Sequence, residues 1–264
     1  MQKYDTISMA AALKIIEKIN KAETEDKKGT QYYTILAYIN QNAYFNDEVK
    51  AIFRGFLLQE IPVLIESLTA DAADADKAMS LEILVDIAAA VMDESLLSLV
   101  KKSLAVDNNS VKFYAVRTLM RHGAEIDQAV IETAAKDEAV ACLLYDELDA
   151  HGKSDLFPAE LKNQEYLAKS EMIRWLLYPT ELGELPAEIE LIGTVKKAKE
   201  LYYVYRFRAD DHEFPEYNDW MIGWAGGYSE KISGCPRASE TFSHFEKQAD
   251  IKTSVLQYVK ECLE

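Results

Sequence analysis

The sequence predicts a mainly α-helical fold. Stacked helix pairs form an α-solenoid over residues 1–185, and a small α+β module over 186–264 packs on it with a three-stranded antiparallel sheet and a closing helix. Three observations predict this. Apolar residues recur at helical spacing from residue 5 to about 178. Segments within that stretch repeat with a period of about 30 residues. Past Pro186 the apolar period drops from about 3.6 to about 2, the change expected where helices give way to strands.

The elements follow in order. Leu13, Ile16 and Ile19 fall on one helical face, then Tyr32, Ile35, Leu36 and Ile39 on the next. The stretch from Val49 to Leu68 carries Phe53, Phe56, Leu57 and Leu64, and Pro62 is expected to kink or end a helix because it has no N–H to donate. Further helices are expected at Ala75–Val91, Glu94–Leu104, Ser110–Arg121, Ile126–Ala135, Glu138–Asp149 and Pro158–Leu177. The run Asp107-Asn108-Asn109-Ser110 supplies N-cap chemistry, and Gly123 and Gly152 supply helix stops. His122 and His151 precede those glycines, where an imidazole meets final helix carbonyls rather than a metal.

Val111, Ala115, Leu119 and His122-Gly123 match Val140, Leu144, Leu148 and His151-Gly152 at a constant shift of 29 residues, and Leu81, Val85 and Ala89 precede them by 30. Units of that length hold two short helices, neither able to bury its apolar face without a stacked neighbour. The pattern Asp107-x-x-x-Val111-Lys112-x-x-Ala115-x-x-x-Leu119-x-x-x-Gly123 resembles the second half of a HEAT-like repeat of the short bacterial type. The resemblance spans about 75–155 and is fainter over 30–70.

In Glu188–Val195, Ile189, Leu191 and Val195 are expected on one side of a strand. In Tyr202–Arg208, Tyr203, Tyr205 and Phe207 point one way and Tyr202, Val204, Arg206 and Arg208 the other. Trp220–Ala225 supplies a third strand, and Lys196–Glu200 suits the hairpin turn joining the first two. A loop is expected from Gly226 to about Ser243, then an amphipathic helix near Phe245–Leu263.

The segment ELYYVYRFRADDHEFPEYNDWMIGWAGGY, within a tail of about 80 residues, is similar to a C-terminal module of some bacterial HEAT-repeat proteins. Several of these look like cytosolic immunity proteins encoded beside polymorphic toxins. The resemblance implies stoichiometric neutralisation of a toxin, and it brings no catalytic residues with it.

Charge narrows the partners. Lys+Arg 29 against Asp+Glu 45 leaves a net charge of −16, which repels phosphate backbones and anionic lipid and suits a basic protein partner such as a toxin domain. No apolar stretch is long enough to cross a bilayer, and the first residues do not read as a secretory leader, so a cytoplasmic location is expected. The cysteines Cys142, Cys235 and Cys262 form no disulfide framework and no CxxC pair. Cys142 reads as a small buried hydrophobe; Cys235 falls in an expected exposed loop beside Arg237.

No residue set assembles into catalytic chemistry. The chain lacks a GxSxG elbow and the GxxxxGK[ST] and GxGxxG spacings, so no catalytic or cofactor-binding residue is assigned. Asp210-Asp211-His212-Glu213 has ligand-type atoms, yet neighbouring residues diverge and no second histidine supports a metal; it reads as a solvated loop. The aromatic crowding is more distinctive. Tyr and Trp provide large rigid contact area with a polar tip, and one face of the sheet is expected as core while the other meets a partner. The candidate partner-binding residues are Tyr202, Arg206, Arg208, Asp210, Asp211, Tyr217, Trp220, Trp224 and Tyr228. An enzyme or ligand-binding protein of the HEAT-like, lyase-like kind, or a scaffold subunit, is the alternative.

Overall fold

The computed structural model describes residues 8–40, 45–178, 180–229 and 242–264. Among them are ten α-helices and a four-stranded antiparallel sheet, and the chain divides into two compact units, Met1–Ala134 and Ala135–Glu264. The expected division at 185 follows the change of periodicity; these units follow packing, and they place two more helices with the sheet.

The first unit holds α1 (Met9–Asn20), α2 (Glu25–Asn40), α3 (Asp47–Ala70), α4 (Ala75–Ala90), α5 (Glu94–Ser103) and α6 (Asn109–Arg121). α1, α3 and α5 pack side by side, as do α2, α4 and α6, and consecutive helices join the two rows. Side-chain oxygens of Ser8, Asn46, Asp74, Asp93 and Asn108 each accept a first-turn N–H and so start five of these helices. α1 buries Ala12, Ile15 and Ile19, whereas Leu13 is half exposed, so its inward face is rotated from the expected one. Pro62 neither ends nor divides α3, which runs through it for 24 residues with Ile61 and Leu64 in the core on either side.

Polar ties fix α6 to α4. Thr118 Oγ1 donates to the Val85 carbonyl at 3.1 Å, and Asp86 accepts from Arg117 at 2.7 Å, with Arg121 at 3.7 Å. One turn away Glu82 hydrogen-bonds Ser110, and burial pushes its carboxyl up to about 7. At the end of α6 the Ala124 N–H reaches the Leu119 carbonyl and the Gly123 N–H the Met120 carbonyl, with Gly123 at φ 69°. This is a Schellman stop, which needs a left-handed residue after the cap. His122 Nε2 meets the Ala89 carbonyl at 3.0 Å, at the end of α4.

α7 (Gln128–Ala135) ends where the second unit begins, and α8 (Ala141–Ala150) and α9 (Gln164–Leu176) follow within that unit. α8 repeats the Schellman stop, with Lys153 N–H on Leu148, Gly152 N–H on Asp149 and Gly152 at φ 64°. His151 Nδ1 lies 2.9 Å from the Glu147 carbonyl. α9 starts six residues later than expected from Pro158, because Asn163 Oδ1 caps it through the Tyr166 N–H.

The sheet has the order β1 (Glu188–Lys197), β2 (Glu200–Arg208), β3 (Met221–Ser229), β4 (Phe242–Lys247). It therefore has four strands, not three. The expected loop after Gly226 is partly β3, and Phe242–Lys247, placed at the junction of a loop and a helix, pairs with β3 instead. The closing helix is α10 (Val255–Leu263), capped by Ser254. One face of the sheet packs Tyr203, Tyr205, Phe207, Met221, Ala225 and Tyr228 against Ala168, Met172 and Leu176 of α9. The opposite face packs Val195, Val204, Ile222 and Trp224 against Val255, Leu256 and Val259 of α10. β3 is thus buried on both sides, and Gly226 allows its close approach to β2: a Cβ there would lie 2.8 Å from both the Tyr202 Cα and the Leu201 carbonyl oxygen.

Candidate protein-binding face

The face begins with a register shift. From the β1–β2 turn, Val195 pairs with Tyr202 and Gly193 with Val204, but Leu191 then pairs with Tyr205. The extra residue, Ile192, makes a β-bulge, which moves every later side chain on β1 by one place. Val195 consequently faces α10 while Ile189 lies with the α9-side cluster, so these residues do not share one side as alternation implied. The same shift sets Glu190 directly opposite Arg206 and Glu188 directly opposite Arg208.

Those pairs close geometrically. Arg206 Nε donates to Glu190 Oε2 and Arg208 Nε to Glu188 Oε1, both at 2.8 Å. Both guanidinium groups also lie over the Trp220 ring, Arg206 at 4.3 Å and Arg208 at 5.4 Å from its centroid. The four charged side chains keep between 34% and 47% of their surface exposed, so each ion pair contributes less than about 1 kcal/mol to stability. Their effect is to hold an indole and two guanidinium groups in one arrangement at the surface.

The remaining expected residues lie elsewhere. Trp224 and Tyr228 are fully buried and offer nothing to a partner. Tyr228 donates to Glu171 Oε2 at 2.6 Å, as Tyr205 does to the Glu165 carbonyl at 3.1 Å and Tyr203 to Gln164 Oε1 at 3.3 Å, so three tyrosines tie the sheet to α9. Tyr202 packs at the α10 side and donates to Glu200 at 2.9 Å. Asp210 and Asp211 are exposed; Arg206 and Arg208 hydrogen-bond Glu190 and Glu188, and the charge of Asp210 adds to that of Glu188 in holding Arg208 protonated. Tyr217 stacks edge-on against His212, ring centroids 5.0 Å apart.

His212 organises its own loop. Its Nδ1 accepts from the Phe214 N–H at 3.0 Å, which leaves Nε2 to donate to the Leu182 carbonyl at 3.0 Å. Its backbone N–H donates to Asn218 Oδ1 at 2.8 Å. Both ring nitrogens are engaged, and among the described residues no group of three or more His, Cys, Asp or Glu side chains is placed to hold a metal ion.

Comparison with known proteins is brief. No protein-family model, curated protein or solved structure matches this chain.

Beside the face, a cavity of about 630 Å³ is lined from α9 by Lys169 and Ile173, from the α7–α8 turn by Lys136–Ala139, and by Leu185–Glu190, the segment that leads into β1 and its first three residues. Cys142 is buried, its N–H bonded to Ser170 Oγ at 2.9 Å, and burial pushes its thiol up to about 11; Cys262 is exposed, and Cys235 lies outside the described residues. No described helix is long and apolar enough to cross a membrane.

The missed members of the face are Glu188 and Glu190. Counting back from the hairpin turn sets them opposite Ala209 and Phe207, and only the bulge brings them onto the arginines. Gly193, a glycine inside a strand, was the available signal.

Proposed function

We propose that this chain is a non-catalytic protein-binding module of the cytoplasm, a HEAT-like α-solenoid with a β module. It neutralises a cognate bacterial toxin by stoichiometric binding. The observation that carries the reading is the Arg206–Trp220–Arg208 stack buttressed by Glu190 and Glu188. Trp and Arg dominate interface energetics, and side chains already ordered lose little entropy on binding. The two rows of helices, α1-α3-α5 and α2-α4-α6, together with the Schellman stops repeated 29 residues apart, support the solenoid. The −16 charge supports a basic partner drawn in by long-range attraction.

The test is co-expression with the product of the neighbouring gene, followed by a titration of that product's activity. The reading expects a one-to-one complex, complete inhibition at equivalence, and binding weakened about thirtyfold by Trp220→Ala. Full activity of the neighbour in the presence of excess protein overturns the immunity reading.

A further inference from the structure

We infer that His212 is a pH-sensitive latch on the loop between β2 and β3: in mild acid its ring takes a proton from solvent at Nδ1, releases the Phe214 N–H and frees the loop. The latch belongs to the free protein and does not depend on the protein-binding reading.

The hydrogen bonds fix the state of the ring. The Phe214 N–H can only donate, so Nδ1, 3.0 Å away, accepts and carries no proton. The Leu182 carbonyl can only accept, so Nε2, also at 3.0 Å, carries the hydrogen. One donor and one acceptor make the neutral imidazole; the imidazolium has two donors and no acceptor. A proton on Nδ1 sets two N–H groups against each other, and ring and amide must part. The contact with Leu182 survives, since Nε2 keeps its hydrogen. His122 and His151 differ at their contacts. Each meets a carbonyl, that of Ala89 or of Glu147, which a protonated ring serves equally well.

The surroundings favour the proton. His212 is half-buried and borders a cavity of about 430 Å³, which it shares with Asp211 and Glu213 of its own loop and with Glu181 and Glu184 of the segment leading out of α9. Among the described residues no lysine or arginine borders that cavity. Tyr217 packs edge-on against the ring, and burial pushes its phenol up, so it stays neutral. Histidine is the side chain that changes charge between about pH 5 and 8, a range in which ordinary carboxylates are still ionised. Four carboxylates therefore stabilise the charged ring once the Phe214 bond is given up.

The latch holds a short chain of turns. The Tyr217 N–H donates to the Phe214 carbonyl at 3.1 Å, and the Tyr217 carbonyl accepts from the Ala209 N–H at 2.7 Å, just beyond the end of β2. Releasing Phe214 loosens these turns and leaves the β2–β3 ladder intact. The loop runs from Arg208 to Trp220, so it bears on the anchor of the candidate face.

The test is NMR of the whole protein between pH 7.5 and 5.5. It reads the ring nitrogens of His212, assigned by their loss in His212→Ala, and the protection of the Phe214 amide, corrected for the intrinsic pH dependence of exchange. As the ring becomes imidazolium, protection at Phe214 should fall about fivefold or more while the amides of β2 and β3 hold. His212→Ala should show the low protection at both ends of the range. A ring that stays neutral at pH 5.5, an imidazolium with Phe214 still protected, or a loss shared equally by β2 and β3 overturns the inference. So does the same pH-dependent loss in His212→Ala, which would place the titrating group elsewhere.

Discussion

Replacing Glu82 with glutamine should stabilise the first unit at neutral pH and leave it almost unchanged in acid. The Glu82 carboxyl is held between α4 and α6, hydrogen-bonded to Ser110, and burial raises it from 4.5 to about 7. Between those values the folded chain keeps a proton that the unfolded chain releases. Stability from this group is therefore greatest below about pH 4.5 and declines as pH rises towards 7. At about 1.4 kcal/mol per pH unit the loss reaches about 2 kcal/mol at pH 6, where the folded carboxyl still holds its proton, and about 3 kcal/mol at pH 8, where it is ionised. Glutamine matches the protonated acid in shape, so Glu82→Gln should regain those amounts and flatten the profile. Trp175, Trp220 and Trp224 all lie in the second unit, so tryptophan fluorescence does not report on this change. The assay is hydrogen exchange of the slowest amides of α4 and α6 at pH 5, 6, 7 and 8, in the protein and the variant. A variant less stable at pH 8, or a difference independent of pH, would refute the reasoning and mean that Glu82 is ionised and paired.

Three further outcomes are expected in the second unit. Gly226→Ala should cost about 3 kcal/mol or more, since its Cβ would meet the Tyr202 Cα and the Leu201 carbonyl oxygen at 2.8 Å; urea unfolding followed by tryptophan fluorescence reads it, and a loss below about 1 kcal/mol would contradict the packing described. Ser170→Ala should cost about 1–3 kcal/mol by leaving the buried Cys142 N–H without its acceptor, and an unchanged unfolding midpoint would mean another group takes that N–H. His212→Ala should speed amide exchange at Phe214 at least several-fold while leaving β2 and β3 protected, because the Phe214 N–H loses the Nδ1 acceptor; uniform acceleration across the sheet would show that the loop is not a local device.

Much of the architecture is legible in the sequence, for reasons that differ by element. α6 is announced at both ends, by Asn108 as cap and Gly123 as stop, and its register is repeated in α8. β2 and β3 are legible because aromatic and β-branched residues alternate there. β4 is not, because Phe242–Lys247 gains its strand character from pairing with β3, and its residues join smoothly onto an amphipathic helical pattern. Local propensity cannot register a partner strand. The candidate face is half legible. Arg206, Arg208 and Trp220 stand out by type, but Trp224 and Tyr228 stand out equally and are core, since the burial of β3 on both sides depends on α9 and α10. Glu188 and Glu190 were hidden behind a one-residue bulge.

The most direct test of the binding reading is the kinetics of the purified partner on the immobilised protein, at 50 and 300 mM salt, with and without Trp220→Ala. If an acidic surface attracts the partner and the Trp220 stack holds it, salt should lower the association rate at least tenfold and the substitution should mainly speed dissociation. An association rate indifferent to salt, with dissociation unchanged in the variant, would contradict both halves of the account.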